Sequence, residues 1–345
     1  MNNQKTKNFY NVVIVGAGIA GLECAEKLGN SGLKILLVER NKNVGEKVCA
    51  GGVSLKDMGY LPKDVLNFPF KKILLHYKNK TVAYPENGEA ISTINREKLL
   101  KDKFERLKQL SNLDILTAAS ALKMTSKNSL KLSDGREINF NFLVGADGSL
   151  SIVRKYLNLP LNKMEVIFQY LVPKKFKNFI LYLDSKLFGS GYVWIFPHQK
   201  FTSIGCGSDL RFINPQKLKN NFDLWLKKNK IDVSNAKLES SLLNYDYQGY
   251  KFDNIFLTGD AAGLASGFTG KGIYSAFLSG EQAANDILRK SNPNNSFDKW
   301  LRKKKMQEKL IFFLKNPVLK KIFFSLAIRI VSYNKIQKKI TSLIN

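Results

Sequence analysis

The chain has 345 residues, a hydrophobic content of 44% and a formal net charge of +27, from 55 Lys and Arg against 28 Asp and Glu. This length and composition are typical of a folded globular protein with a substantial core. The 3 cysteines (Cys24, Cys49 and Cys206) have no metal-ligand or CxxC spacing, which argues against a disulfide framework and a zinc site.

The first predicted unit is a strand, a glycine-rich turn and a helix. Residues 12–15 are apolar and β-branched, as in a buried parallel strand, and a helical apolar pattern follows over 19–28. Between them, Gly16 permits a tight turn, Gly18 lets the backbone approach a pyrophosphate, and Gly21 lets the helix pack closely on the strand. The free amides at the start of this helix, around Ala20, would face phosphate groups.

A second strand over 34–38 ends in Glu39 and Arg40. An acidic side chain in this position reaches the ribose hydroxyls of a dinucleotide. Glu39 therefore favours an unphosphorylated ribose, as in FAD or NAD, over NADP.

The next segment contains strands that are predicted to leave the nucleotide-binding unit. The chain then returns to this unit. Short strands are predicted between residues 60 and 95, and an amphipathic helix over 97–110 follows Arg96. Alternating residues over 122–140 with an Asp-Gly turn predict a β-hairpin. A buried strand then ends at Asp147 and Gly148.

Residues 160–250 have a different pattern, with aromatic strands and a single helix over 215–228. This composition suits an antiparallel sheet that carries an apolar pocket. Residues 252–290 return to the nucleotide-binding unit, with Gly259-Asp260-Ala261-Ala262-Gly263 and a helix that begins near Gly270 to Gly272.

Three segments together predict a single FAD site. They are Gly16-Ala17-Gly18-Ile19-Ala20-Gly21, Gly145-Ala146-Asp147-Gly148 and Gly259-Asp260-Ala261-Ala262-Gly263. Each alone is weak, but this order and separation indicate an FAD fold and therefore redox chemistry.

Two further segments make the chain resemble the geranylgeranyl reductase family, FAD-dependent oxidoreductases with the para-hydroxybenzoate hydroxylase fold. They are Gly45-Glu46-Lys47-Val48-Cys49-Ala50-Gly51-Gly52 and Tyr192-Val193-Trp194-Ile195-Phe196-Pro197. The resemblance covers residues 10 to 290. It implies an enzyme that uses reduced FAD to saturate isoprenoid double bonds of geranylgeranyl groups.

The resemblance also implies site residues. Predicted FAD-binding residues are Gly16, Gly18, Ala20, Gly21, Glu39, Arg40, Arg96, Asp147, Gly148, Asp260, Gly270 and Gly272. The predicted substrate pocket contains Gly51, Gly52, Tyr192, Trp194 and Phe196. Cys49 is the catalytic candidate, as a thiol that responds to the flavin redox state or helps to deliver a proton. The alternative is a structural role as a small buried apolar side chain. His198 stands where the family often has a lysine, which puts a cationic role at that place in doubt.

The predicted fold class is α/β with an α+β second domain. A discontinuous Rossmann-like FAD-binding domain comprises residues 1–60, 95–160 and 250–290, and a substrate domain with an antiparallel sheet comprises 61–94 and 161–249. Residues 296–345 form a basic tail with amphipathic helices that break near Pro317. This tail either contacts a membrane interface or packs on the catalytic domain with its basic side in solvent. No metal is expected.

The excess of basic residues has two interpretations. One is a genome rich in A and T; the other is attraction to a polyanion, for which an anionic membrane surface contacted by residues 296–345 suits the pattern better than nucleic acid. No apolar run reaches the roughly 20 residues of a transmembrane helix. The sequence predicts a cytoplasmic protein, either free or peripheral on the inner face of the membrane.

Other functions stay open at this level. A flavin monooxygenase has the same fold, a flavin halogenase matches the 192–197 segment in part, and a flavoprotein with vestigial activity that binds membrane or nucleic acid belongs to a different class. The motifs do not distinguish NAD(P)H from ferredoxin as the electron donor, and they identify no proton donor.

Overall fold

The computed structural model describes residues 8–84, 91–291, 295–313 and 325. Its strands are β1 (Phe9–Val15), β2 (Ile35–Val38), β3 (Gly52–Val53), β4 (Ile73–Tyr77), β5 (Lys80–Tyr84), β6 (Ser92–Thr93), β7 (Leu113–Leu116), β8 (Ala121–Ser126), β9 (Ser129–Leu132), β10 (Glu137–Gly145), β11 (Met164–Val172), β12 (Phe179–Leu183), β13 (Tyr192–Pro197), β14 (Thr202–Asp209), β15 (Lys237–Asn244), β16 (Lys251–Phe252) and β17 (Ile255–Leu257). Its α-helices are α1 (Ile19–Leu28), α2 (Leu55–Met58), α3 (Arg96–Leu107), α4 (Ile152–Tyr156), α5 (Pro215–Lys228), α6 (Ile273–Ile287) and α7 (Ser296–Phe313).

The first sheet has a parallel centre in the order β17-β10-β1-β2-β7. Five of the seven residues of β1 are buried, as the apolar run predicts for a strand covered on both faces. The carboxyl ends of these parallel strands meet at one edge, which is where ligands bind in open α/β sheets. The Gly16 turn, Glu39, Asp147 and Gly259 all follow these ends, so the predicted FAD segments share this edge.

Helices cover the first sheet on both faces. α1, α3 and α6 pack on one apolar cluster, which includes Leu22, Phe104 and Phe277. α4 and α7 pack on the cluster of the other face, with Val153 and Phe297 buried in it. The sheet is therefore a rigid central layer, which holds its carboxyl edge in place.

The second sheet is mixed and has the order β15-β11-β14-β13-β12-β4-β5. β4 pairs in parallel with β12, so the strands predicted between residues 60 and 95 join the later aromatic strands. The division into an FAD-binding and a substrate domain stays a prediction.

The side chains of the second sheet alternate between two environments. Val193 and Ile195 of β13 pack with Phe222 and Trp225 of α5 on one face, whereas Tyr192, Trp194 and Phe196 point to the other face. α5 itself begins as its sequence predicts, because Pro215 takes the first helical position and the Asn214 side chain accepts a hydrogen bond from the Gln216 amide.

Two sequence predictions differ from the structure. The segment predicted as one hairpin contains three strands, because a second turn at Lys127-Asn128 separates β8 from β9 before the Asp134-Gly135 turn to β10. The strand β15 was not predicted, since its sequence is polar at its start and lacks the aromatic residues that mark its neighbours.

Within the described residues, no helix is both long enough and apolar enough to span a bilayer. The predicted helix break at Pro317 and the predicted apolar positions from Leu314 onward lie outside the described residues.

Candidate functional site

A cavity of about 1180 Å³ lies between the carboxyl edge of the first sheet and the inner face of the second. Residues of both sheets line it, with polar groups at the first sheet and apolar groups at the second. Every predicted site residue lines this cavity except Gly21. Their roles toward a cofactor or substrate stay predictions, but the structure brings them together.

The turn between β1 and α1 forms the first wall of the cavity. Gly16 has φ +103°, and a Cβ there would lie 2.4 Å from the Ala146 carbonyl oxygen. A Cβ on Gly21 would lie 1.9 Å from the Gly16 oxygen, so Gly21 serves the packing of the helix against the turn. At Gly18 a Cβ would meet nothing within 4 Å. Gly18 therefore borders open space at the start of α1, as a pyrophosphate site requires.

Glu39 closes the same turn from the end of β2. Its Oε2 accepts a hydrogen bond from the Ala17 amide at 2.8 Å, and its Oε1 accepts one from the Asn41 amide at 2.9 Å. Arg40 is exposed at the rim of the cavity, next to this carboxylate. The arrangement places a fixed negative charge where a ribose is expected.

Asp147 is a buried carboxyl that lacks part of its hydrogen bonding. Its Oδ2 accepts a hydrogen bond from the Ile152 amide at 2.7 Å, whereas its Oδ1 has no partner among the described residues. Burial raises the pKa of Asp147. A buried polar atom without a partner indicates a group still to be bound. At the neighbouring Gly148 a Cβ would also meet nothing within 4 Å.

Asp260 and Lys47 form an ion pair at the centre of the cavity, with Lys47 Nζ 2.5 Å from Asp260 Oδ2. Ser149 Oγ donates a hydrogen bond to the same carboxylate oxygen. Arg96, at the start of α3, donates hydrogen bonds to the carbonyl oxygens of Gly45 and Lys47. Arg96 therefore holds the 45–52 loop against the cavity, and Lys47 is a cation in the site that the sequence analysis quoted but did not single out.

Gly270 and Gly272 shape the loop that leads into α6. Gly270 has φ +66°, and Gly272 is the N-terminal cap of the helix. The Tyr192 hydroxyl donates a hydrogen bond to the Thr269 carbonyl oxygen at 2.6 Å. The aromatic strand β13 is thereby attached to the loop at which the positive end of α6 opens into the cavity.

The second sheet forms an apolar wall. The rings of Phe179 and Phe196 stack with centroids 3.9 Å apart, and Trp194 lies between Tyr192 and Phe196. Ile73, Leu75, Leu181 and Leu183 continue this wall along β4 and β12. We call these eight residues the apolar wall.

Gly52 and Gly205 let the apolar wall pack closely. A Cβ on Gly52 would lie 2.9 Å from the Phe196 ring, and one on Gly205 would lie 2.2 Å from the Trp194 ring. The Trp194 indole N–H donates to Ser203 Oγ, so no donor of this ring is left without a partner. The wall presents apolar surface to the cavity.

Cys49 is half-buried in the 45–52 loop, and its sulfur accepts a hydrogen bond from the Gly51 amide at 3.3 Å. His198 lies against the same loop. Its Nε2 is 3.1 Å from the Ala50 carbonyl oxygen and its Nδ1 is 3.1 Å from Asn67 Nδ2, which is the pattern of a neutral ring with the proton on Nε2. Burial lowers the pKa of His198 to about 4. His198 therefore supplies no cation near neutral pH.

Three residues that the sequence analysis did not select also belong to the cavity. Glu165 of β11 lines it beside Ile167, and an acid within an apolar strand was the signal that could have marked it. Met306 and Gln307 reach it from α7, the first part of the predicted tail. No sequence signal places that helix at the site, because its packing depends on tertiary contacts. Among the described residues there is no cluster of side chains suited to bind a metal ion.

Comparison with known proteins gives a consistent result. The family model of pyridine nucleotide-disulphide oxidoreductases matches residues 10–170. Digeranylgeranylglycerophospholipid reductase 3 of Methanosphaera stadtmanae is 27% identical over 97% of this chain and 90% of its own length.

Two solved structures have the same fold. A geranylgeranyl bacteriochlorophyll reductase-like protein of Thermoplasma acidophilum superposes with a TM-score of 0.75 at 20% identity, over 97% of this chain and 99% of that one. A halogenase in complex with FAD superposes with a TM-score of 0.62 at 15% identity, over 81% of this chain and 69% of that one.

The fold and the site define the class: the chain is an FAD-dependent oxidoreductase with a Rossmann-like fold. The open faces of Gly18 and Gly148 and the unpaired oxygen of Asp147 fit a bound dinucleotide. The resemblance to the geranylgeranyl reductase family is confirmed.

Proposed function

We propose that the protein saturates carbon–carbon double bonds of an isoprenoid group, such as geranylgeranyl, in a membrane-associated lipid. The observation that carries this proposal is the apolar wall, which lies in the same cavity as the dinucleotide-binding residues. The activities named for the Methanosphaera relative and for the Thermoplasma neighbour support it.

The cofactor would supply the reducing equivalents, because reduced FAD donates a hydride. The residues that would hold it are those of the carboxyl edge, with Glu39 at the ribose, Gly18 at the pyrophosphate and Asp260 with Lys47 farther along the cavity. Asp147 would engage it through its unpaired oxygen. The start of α6 places a positive dipole end at the loop of Gly270.

The apolar wall would bind and orient the prenyl chain. An isolated alkene carries little polarity, so hydrogen bonds cannot position it, and close packing against rings and branched side chains must do so. Trp194 and Phe196 also exclude water from the reacting carbon atoms. A small or strongly polar substrate would leave the apolar side chains of this wall without apolar substrate atoms to contact.

The 45–52 loop would close the cavity between cofactor and substrate. Arg96 fixes this loop through two carbonyl oxygens, and Gly51 permits the contact of this loop with His198, because a Cβ at this position would lie 2.8 Å from the His198 ring. Cys49 thereby faces the junction of the two halves of the cavity. Its catalytic role remains a proposal.

Contact with an anionic membrane surface is proposed for the part of the tail after α7. The apolar residues Phe297, Trp300 and Leu301 of α7 pack on the protein, so this helix turns its apolar face inward. Residues 314–345 contain seven basic residues and no acid: Lys315, Lys320, Lys321, Arg329, Lys335, Lys338 and Lys339. Such a segment is attracted to anionic lipid headgroups.

Product analysis tests the proposed function. The FAD-loaded protein is reduced with dithionite without oxygen and incubated with geranylgeranyl lipids, and the products are analysed by mass spectrometry. We expect products heavier by two hydrogens for each saturated bond. Oxygenated products formed only after admission of air would assign the protein to the monooxygenases instead.

A further inference from the structure

Glu165 is an acid in an apolar setting at the beginning of β11. It lies opposite Asp209 of β14 and Leu243 of β15, and its side chain lines the cavity beside Ile167. The residue is only 9% exposed. Among the hydrogen bonds of the described residues, none reaches its carboxyl group, so its oxygen atoms are available to the cavity.

The charged groups around Glu165 are mostly engaged with one another. Asp209 pairs with Arg211 at 2.5 Å and accepts a hydrogen bond from the Tyr245 hydroxyl. From α7, Lys304 donates to the carbonyl oxygens of Tyr245 and Ala265. Lys304 also lies 2.6 Å from Glu308, in an ion pair without hydrogen-bond geometry. No cation among the residues that the structure describes forms an ion pair with Glu165.

The balance of these groups favours the protonated form of the carboxyl. Burial and the negative charge of Asp209 raise the pKa of Glu165 to about 8, against smaller opposing effects of Lys304 and Arg211. Tyr192 and Tyr245, which also face this region, stay protonated because burial raises their pKa values. Of these three groups, Glu165 therefore holds the most acidic proton.

Glu165 lies where the apolar wall meets the loop before α6. Burial, and after it the nearby carboxyl of Glu165, raise the pKa of Tyr192, the first residue of the wall, whose hydroxyl donates to the Thr269 carbonyl oxygen of that loop. The resemblance places the flavin ring near this loop. A prenyl chain along the wall would therefore pass Glu165 on its way to the cofactor.

We propose that Glu165 is the proton donor of the reduction. This step rests on the proposed reductase function. A hydride from reduced FAD would add to one alkene carbon, the π bond would break, and its electrons would form a C–H bond at the other carbon with the Glu165 proton. The O–H bond of the acid breaks, and the carboxylate regains a proton from solvent.

Other donors near the cavity are less suited to this step. The Tyr192 hydroxyl already donates to Thr269, and the Nε2 proton of His198 is directed to the Ala50 carbonyl oxygen. The Cys49 thiol is a further candidate, since it is half-buried in the facing loop. The test therefore includes Cys49→Ala.

The first part of the test measures the proton itself. Infrared difference spectra are recorded near neutral pH for the FAD-loaded wild type and for Glu165→Gln, a nearly isosteric change. We expect a protonated-carboxyl stretching band, shifted in D2O, that the variant lacks. Glu239→Gln on the neighbouring strand β15 is the matched control and should keep the band. If no such band distinguishes Glu165→Gln, Glu165 is ionised and the inference is wrong.

The second part measures the reaction. Anaerobic oxidation of the reduced protein by a geranylgeranyl lipid should be lost in the wild type as pH rises through about 8. In Glu165→Gln the rate should fall about 100-fold or more, a typical effect of removing a general acid, while lipid binding to the oxidised protein persists. Glu165→Asp should retain part of the rate, and Glu239→Gln all of it.

The outcomes separate the two proposals. A wild type that is not oxidised by prenyl lipids contradicts the reductase function and with it the proton donor. A reactive wild type with an equally reactive Glu165→Gln contradicts the proton donor alone. Loss of the pH dependence in Cys49→Ala instead would assign the proton to the thiol.

Discussion

The three glycines of the first turn differ in what lies beside them. A Cβ on Gly21 would overlap backbone, whereas a Cβ on Gly18 would point into open space. Gly18 also has φ −76°, which any residue can adopt. The same substitution at these two places therefore separates folding from cofactor binding.

We predict that Gly18→Ala folds with wild-type thermal stability of the apoprotein but retains much less FAD after purification. Gly21→Ala should unfold at a lower temperature even without cofactor, because its Cβ would lie 1.9 Å from the Gly16 oxygen. Thermal unfolding of both apoproteins and the absorbance of bound flavin provide the measurement. Full flavin content in Gly18→Ala would show that the pyrophosphate lies elsewhere.

His198 makes folding stability depend on pH. Its pKa in the folded protein is about 4, below the ordinary value of 6.5, so the unfolded chain binds more protons between these pH values. The contribution of His198 is complete above about pH 6.5 and is lost as pH falls toward 4, by up to about 3 kcal/mol. Denaturant unfolding of wild type and His198→Gln across this range should show a flatter profile for the variant. His76→Gln, which changes a less buried ring, should retain most of the wild-type slope.

At the residue level, the sequence predicted where the glycines and Glu39 lie, because their positions follow from backbone geometry next to a recognisable strand. The ionisation of Glu165 and His198 was not predictable, since it depends on burial and on charges from other strands. The pairing of Lys47 with Asp260, 213 positions apart, was hidden for the same reason.

At the scale of elements, β13 and α7 determine what the cavity can bind. Strand alternation alone predicted that Tyr192, Trp194 and Phe196 share a face, and the structure confirms this arrangement. The helix α7 was predicted from its apolar spacing, but the buried position of Lys304 within it was not. A basic residue in such a helix reads as solvent-facing unless its tertiary partners are known.

We predict that Lys304→Met lowers the free energy of unfolding by about 3–5 kcal/mol, because it leaves two carbonyl oxygens and Glu308 without their buried partner. Lys305→Met, at the next and exposed position, should change it by no more than about 0.5 kcal/mol. Equilibrium denaturation measures both. Equal effects of the two substitutions would contradict the docking of α7 described above.

At the scale of the whole molecule, a large cavity lies between the two sheets. The parallel order of the first sheet was predictable from strand and helix periodicity. The addition of β4 and β15 to the second sheet depends on pairing between strands that are distant in sequence, which local patterns do not specify. The net charge of +27 is compatible with both genome bias and membrane attraction.

Truncation of the tail distinguishes these two explanations. We predict that a chain ending at Phe313 keeps FAD and thermal stability but loses its preference for anionic over neutral liposomes in co-sedimentation, because residues 314–345 carry the proposed basic contact. A chain ending before Ser296 should be destabilised, since Phe297 is buried. Undiminished binding by the chain ending at Phe313 would place the membrane contact elsewhere or assign the charge to composition alone.

We propose that one cavity holds FAD and an isoprenoid chain in reacting contact. The most direct test follows the visible spectrum of the dithionite-reduced protein in a sealed anaerobic cuvette while a geranylgeranyl lipid is added. We predict that the oxidised flavin spectrum returns without oxygen, at a rate that depends on lipid concentration. A flavin that stays reduced with every prenyl lipid and is oxidised only when air enters would contradict the account.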